Sequence, residues 1–197
     1  MKKLFIILLL CIPFAGFAQD NTWEKPTTNG TDAKYLAGAV PMVDGKVEFR
    51  SVIKAPGKSA KQLYEILKDF MTKLTKEDNQ FEQSRILVDE PDNFLVCGGY
   101  QEWLVFKSSA LQLDRTRMMY NLVAECKDGQ AEIKMNRIIY YYDEERDAQT
   151  FKAEEWITDK YGLNKKQTKL ARVSGKFRRK TIDRKDFLFN KIASLLK

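Results

Sequence analysis

The sequence predicts an α+β two-layer sandwich, an antiparallel sheet with two long helices on one face. Three observations point there. Extended runs alternate in polarity, helical apolar stripes stand near either end of the chain, and an Asp128-Gly129 pair turns two of the extended runs back on each other. The element order they give is β-α-β-β-β-β-(insertion)-α.

The first strand spans Lys46 to Lys54, with Val47, Phe49 and Ile53 on one side and Glu48, Arg50 and Lys54 on the other. Ala55-Pro56-Gly57 stops it. Ser59 and Gln62 then have the spacing of a capping box, and Leu63, Ile66, Leu67, Phe70, Met71 and Leu74 recur at helical spacing over residues 60–76. Four strands are expected next. The first runs from Gln83 to Val88 and the second, past a Pro91-Asp92-Asn93 turn, from Phe94 to Phe106, with Gly98-Gly99 as a bulge. The third runs from Leu111 to Cys126 and the fourth from Ala131 to Tyr142.

Centring the hairpin on Asp128-Gly129 sets Cys126 opposite Ala131, Ala124 opposite Ile133, Leu122 opposite Met135 and Met118 opposite Ile139. That face is apolar apart from Tyr120 and the Arg137 beside it, and the other face pairs Arg117 with Tyr140 and Arg115 with Tyr142. A one-residue slip would scramble this sorting. A preceding turn near Ser108-Ser109 would add Glu102 opposite Arg115 and Tyr100 opposite Arg117, and would bring Cys97 near Tyr120. Lys152 to Lys160 can form a short helix burying Ala153, Trp156 and Ile157, ended at Gly162. Thr181 to Leu196 reads as the closing helix, with Ile182, Phe189, Ile192, Ala193 and Leu196 on its apolar face.

The 197 residues suit one domain with appendages. Residues 1–18 have the pattern of a signal peptide: Lys2 and Lys3, an apolar Leu4 to Ile12 run too short to span a bilayer, and Gly16-Phe17-Ala18 before the cut. Residues 19–34, rich in Thr, Asn and Asp, read as a flexible leader, and 35–197 as the domain, with an acidic and basic insertion over 143–180. Export to the periplasm or cell envelope is the expected localisation. No second apolar stretch of membrane-spanning length follows, so the mature chain is expected to carry no transmembrane segment. Cys97 and Cys126 fall too far apart in the expected register for a disulfide and read as buried thiols.

Tyr35-Leu36-Ala37-Gly38-Ala39-Val40-Pro41, Val43-Asp44-Gly45-Lys46-Val47 and Leu113-Asp114-Arg115-Thr116-Arg117 resemble stretches of an exported Bacteroidetes family. Glu155-Trp156-Ile157-Thr158-Asp159-Lys160-Tyr161 and Gly175-Lys176-Phe177-Arg178-Arg179-Lys180-Thr181 do so too. That family is catalogued as a domain of unknown function with a TATA-binding-protein-like (TBP-like) fold. The resemblance, from about residue 35 to the C-terminus, implies this fold and carries over no catalytic or binding residue. Likeness to a DNA-binding fold is no argument for DNA binding.

The chain has no histidine, which excludes Ser-His-Asp and Cys-His catalysis and His-ligated zinc. Neither a Gly-rich phosphate loop nor a nucleophile elbow is present, so no cofactor and no enzyme activity are expected. The alternative from another class is a hydrolase using paired carboxylates in a cleft at the sheet edge. Asp143, Glu145, Asp147 and Glu154 have calcium-loop spacing, but Ala148 stands where the loop needs Gly.

Two surfaces are candidates for binding a protein or an anionic envelope component. Residues 161–197 carry 12 basic and 2 acidic side chains, against 20 and 25 over 19–160, so Arg178, Arg179 and Lys180 could meet an anionic glycan or lipid surface. A solvated face, or pairing with the acidic run Asp143 to Asp147, is the plainer explanation. Pairing between copies of the chain would use the same two segments. Nucleic acid is disfavoured, since only Phe177 offers a stacking ring within the basic run. The second surface is the sheet face opposite the helices, where Tyr100, Glu102, Arg115, Arg117, Tyr140 and Tyr142 would cluster, residue types common at interface hot spots. The plainer alternative is that Trp156 and its helix lie over this face as a second core.

Overall fold

The computed structural model describes residues 33–109 and 112–197. The expected signal peptide and all of the leader but Ala33 and Lys34 lie outside the described residues. After a short 3-10 turn, Ala33–Tyr35, the chain runs through β1 (Met42–Val43), β2 (Lys46–Lys54), α1 (Ala60–Leu74), β3 (Arg85–Glu90) and β4 (Leu95–Ser109). It continues with β5 (Gln112–Lys127), β6 (Gln130–Tyr142), β7 (Gln149–Lys152), two single-turn helices α2 (Ala153–Trp156) and α3 (Asp159–Gly162), and α4 (Ser174–Leu195). The strands form one antiparallel sheet in the order β1-β2-β6-β5-β4-β3, with β7 beside the far end of β6.

Helix α1 starts as its sequence dictates. The Ser59 side chain accepts from the Gln62 amide, and the Gln62 side chain accepts from the Ser59 amide. Asp128 of the β5–β6 turn accepts a further bond from the Ala60 amide at 2.8 Å, fixing the hairpin to the helix. Both α1 and α4 pack on the same side of the sheet. Leu63, Leu67 and Met71 from α1 and Phe177, Ile182, Leu188 and Ile192 from α4 close over Met118, Leu122, Ile133 and Met135. The α+β architecture with both long helices on one face is therefore as expected, with β1 and β7 as additional short strands.

Helix α4 begins seven residues before its expected start. No side chain caps it, and Gly175 in its first turn gives no helix-favouring signal, so the local sequence does not mark the boundary. Its buried face takes in Phe177 and Leu188, whereas Phe189 and Ala193 are only partly covered. The expected short helix near Trp156 divides into α2 and α3, both on the helix side of the sheet. Trp156 stacks on Phe151 at 3.8 Å and meets the Phe177 ring edge-on at 5.7 Å.

Two departures of register decide which side chains face the helices. The β5–β6 pairing follows the expected one from Cys126–Ala131 to Asn121–Asn136, then shifts, so that Met118 faces Tyr140 and Arg117 faces Tyr141. The cause is a bulge at Arg137, which adopts a left-handed φ of 52°. Beyond it Ile138 and Tyr140 enter the core, and Ile139 leaves it. In the β4–β5 hairpin the strands continue through Ser108 and Ser109, where a turn was expected. Tyr100 therefore pairs with Tyr120, Glu102 with Met118, and Cys97 with Val123. That displacement is three residues, an odd number, so the faces of β4 are exchanged.

Gly98 and Gly99 do not themselves bulge. The irregularity lies opposite them in β3, between Ile86 and Val88. The two glycines instead make room on opposite faces. A Cβ on Gly98 would stand 2.3 Å from the Tyr100 hydroxyl, and one on Gly99 would stand 2.7 Å from Leu87. Tyr100 uses that space to donate to the Met71 carbonyl of α1 at 2.9 Å. Gly98→Ala should thus destabilise the fold by about 1–3 kcal/mol, measured by urea denaturation. A change below ~0.5 kcal/mol would show that Tyr100 is free to move aside.

Candidate functional site

Thr116 and Met118 of β5 are buried on the helix side, so Arg115 and Arg117 point to the other face. No helix among the described residues covers that face. Arg115 lies flat on Trp103, its guanidinium carbon 3.7 Å from the ring centroid, and Arg117 sits 4.5 Å from the Tyr141 ring and 5.4 Å from Phe81. Phe81 comes from the connection between α1 and β3, whose amide bonds to the Gln101 carbonyl and so extends the sheet edge. Gln101 accepts from Arg117 Nη1 at 3.0 Å. Glu144, in the turn between β6 and β7, accepts from Arg117 Nε at 3.1 Å and Nη2 at 2.5 Å. Glu145 approaches Arg115 at 3.5 Å. The acidic run after Tyr142 therefore pairs within the chain, with the sheet arginines, not with the basic segment near residue 178.

The part of this face nearest β2 is self-neutralised. Arg50 pairs with Glu48 and Glu132, and Lys134 with Glu125 and Glu132, in a ladder across β2, β6 and β5. Arg85, in register with Gly99, and Arg137 are exposed and have no ion-pair partner among the described residues. Arg137 is close enough to Cys97 to oppose, in part, the rise that burial imposes on its thiol pKa. Cys97 and Cys126 are free and buried on opposite faces, and burial pushes the Cys126 thiol up to about 11.

The other expected site residues lie elsewhere. Tyr100 and Tyr140 are core residues on the helix side, and burial raises both phenols well above their usual pKa. The Tyr140 hydroxyl bonds to Thr181 of α4 at 2.7 Å. Tyr142 also turns to the helix side, where its ring meets Phe177 at 5.4 Å and its hydroxyl bonds to Asp114 and Lys176. Glu102 is buried beneath α4, where Arg184 grips both its oxygens at 2.7 and 2.6 Å. Burial lowers the Arg184 pKa and Glu102 more than restores it, so the net shift is upward. The β5–β6 bulge and the longer β4–β5 strands are the physical reason for these reversals. Trp156 lies on the helix side and does not roof the open face.

The basic segment is also corrected. Arg178 is fully buried and donates to the carbonyls of Tyr35, Leu36 and Ile157 at 2.6, 2.5 and 2.7 Å and to Asp159 at 2.7 Å. Lys180 is buried and Arg179 half-buried, so this triplet does not form an exposed cationic surface. Exposed positive charge in this region is carried by Lys165, Lys166, Lys169 and Arg172, between α3 and α4. No cluster of His, Cys, Asp or Glu able to hold a metal is formed by the described residues, the acidic turn included. A cleft of about 400 Å³ between β2 and α4 is lined by Arg50 and Lys185, both already paired with carboxylates.

Trp103, Tyr141, Phe81 and Glu144 were not read as site residues from sequence. Trp103 and Tyr141 alternate with the buried Glu102 and Tyr140, so the correct register would have found them.

The family model described as "Domain of unknown function (DUF4468) with TBP-like fold" matches residues 49–141. A DUF4468 family protein from Bacteroides ovatus is 43% identical, with 84% of this chain and 94% of that one covered and a TM-score of 0.79. The chain belongs to the DUF4468 family. A TBP-like protein from Parabacteroides distasonis shares the fold at 19% identity and a TM-score of 0.66, over 80% of this chain and 96% of its own. No curated protein matches the sequence. Both likenesses extend well past residues 49–141, so the shared fold includes segments outside the matched core.

Proposed function

We propose that this DUF4468 protein is an exported, non-catalytic binding module of the cell envelope that recognises a protein partner through the sheet face opposite its helices. One observation carries this reading: Arg115 and Arg117 are laid on Trp103 and Tyr141, on a face that no helix among the described residues covers. Arginine and aromatic side chains held rigid on a sheet lose little conformational freedom on binding, which favours them as contact anchors. The carboxylates that come together beside Arg184, Glu102 and Glu77, are tied to that guanidinium, and Glu102 is sealed under α4. That arrangement suits a structural ion pair better than hydrolysis at a sheet-edge cleft. An anionic glycan or lipid surface is the second reading, and the exposed loop bearing Lys165, Lys166, Lys169 and Arg172 is what favours it.

The test is capture from the envelope fraction by the immobilised mature chain, by Arg115→Ala/Arg117→Ala, and by Arg50→Ala. Arg50 shares the face but belongs to the self-neutralised ladder. A polypeptide retained by the unmutated chain and by Arg50→Ala should be lost with the double variant. Unchanged retention by the double variant would overturn the reading.

A further inference from the structure

We infer that the acidic turn between β6 and β7 is a resident stand-in for the ligand, and that the arginine face takes an acidic polypeptide segment in its place. The inference rests on the open-face reading above and names the chemistry of its partner. Arg117 offers Nε and Nη2 side by side to the two oxygens of Glu144, the two-point match of a guanidinium to a carboxylate. A ligand that uses this fork has to present two oxygens of one anionic group, as a side-chain carboxylate does.

Residues 143–147 are mostly exposed and fold on themselves, the Asp143 carbonyl accepting from the amides of Arg146 and Asp147. Glu144 and Glu145 link the turn to the face, and the Glu145 side chain is 84% exposed. Both ion pairs are partly exposed, so an incoming carboxylate can compete with Glu144 and Glu145 for the same guanidinium groups. With the turn lifted, the half of the face beyond the Glu/Lys ladder presents Arg85, Arg115, Arg117 and Arg137. This is a positive field complementary to an acidic chain. Leu87, lying over Gly99, and Met119 supply apolar contact beside it. The arginine side chains retain only 32% and 23% of their exposure, recessed against their rings. A slender peptide reaches them more readily than the headgroups of a flat bilayer.

The experiment titrates fluorescently labelled hexaglutamate into the mature chain and follows anisotropy together with tryptophan emission, since Trp103 lies under Arg115. Glu144→Gln/Glu145→Gln should bind about fivefold more tightly than the unmutated chain, the scale expected on removing a weak internal competitor. Arg115→Ala/Arg117→Ala, checked for an unchanged melting transition, should not bind. Arg115→Lys/Arg117→Lys should bind weakly, because it keeps the charge and loses the fork. Equal affinity in the unmutated and Gln variants would overturn the inference, as would failure of both to bind. Arginine-dependent retention on phosphatidylglycerol vesicles without hexaglutamate binding would overturn it in favour of a lipid ligand. Capture of an envelope protein that still depends on Arg115 and Arg117 would then leave the open-face reading standing, so the two failures are distinguishable.

Discussion

Arg184→Ala should cost about 3–5 kcal/mol of folding stability. Glu102 is 0% exposed and the Arg184 side chain 2% exposed. Removing the guanidinium strands a carboxylate between sheet and helix, where among the described residues only the Gln80 side-chain amide, at 2.6 Å, still donates to it. Such a charge has to be neutralised by a proton or reached by water, and each opens the α4–β4 contact. The pair itself need not be strongly stabilising, because its desolvation offsets much of the Coulomb gain. Arg184→Met/Glu102→Met should therefore recover most of the loss, and chemical denaturation of the single and double variants at neutral pH separates the two effects. A single-variant loss under ~1 kcal/mol, the size expected of a surface pair, would mean that water reaches Glu102 in the folded protein.

Arg178→Ala should follow closely, at about 3 kcal/mol or more. Its four hydrogen bonds join α4 to Tyr35 and Leu36 at the start of the domain and to Ile157 and Asp159 beside α3. Truncation leaves three backbone carbonyls without that donor, and a lysine cannot replace the fork that reaches them. Amide hydrogen exchange should show residues 33–39 and 157–163 losing protection ahead of the central strands. If exchange there is unchanged and stability falls by under ~1 kcal/mol, Arg178 is not the clasp described here. The segment whose composition suggested a cationic surface is thus, at its centre, an internal fastening.

The layer arrangement could be read from sequence because each element announced itself locally. Ser59 and Gln62 cap α1, the apolar spacing defines its buried stripe, and Asp128-Gly129 fixes the seven residue pairs of its hairpin from Lys127–Gln130 to Asn121–Asn136 correctly. The candidate site was less legible because it depends on parity. A single non-glycine residue in a left-handed conformation, Arg137, exchanges the faces of everything beyond it, and no residue type marks the position. The β4–β5 turn has the same effect on Tyr100 and Glu102, since Ser108-Ser109 resembles a turn while belonging to the strands. Arg115 and Arg117 kept their expected face because they lie on β5, whose own alternation is unbroken. Net charge misled in the basic segment, since it counts Arg178 and Arg184 without regard to burial.

The placement of β2 bears on how the chain acquires its structure. It is the first long strand made, yet its long partner is β6, with Glu48 meeting Asn136 across a separation of 88 residues. Closing so wide a loop precedes any reward from the contact, and such topologies assemble slowly. An amino-terminal half of the chain ends before β6 and so lacks the long partner of β2. The two arginine fastenings come later still, on α4.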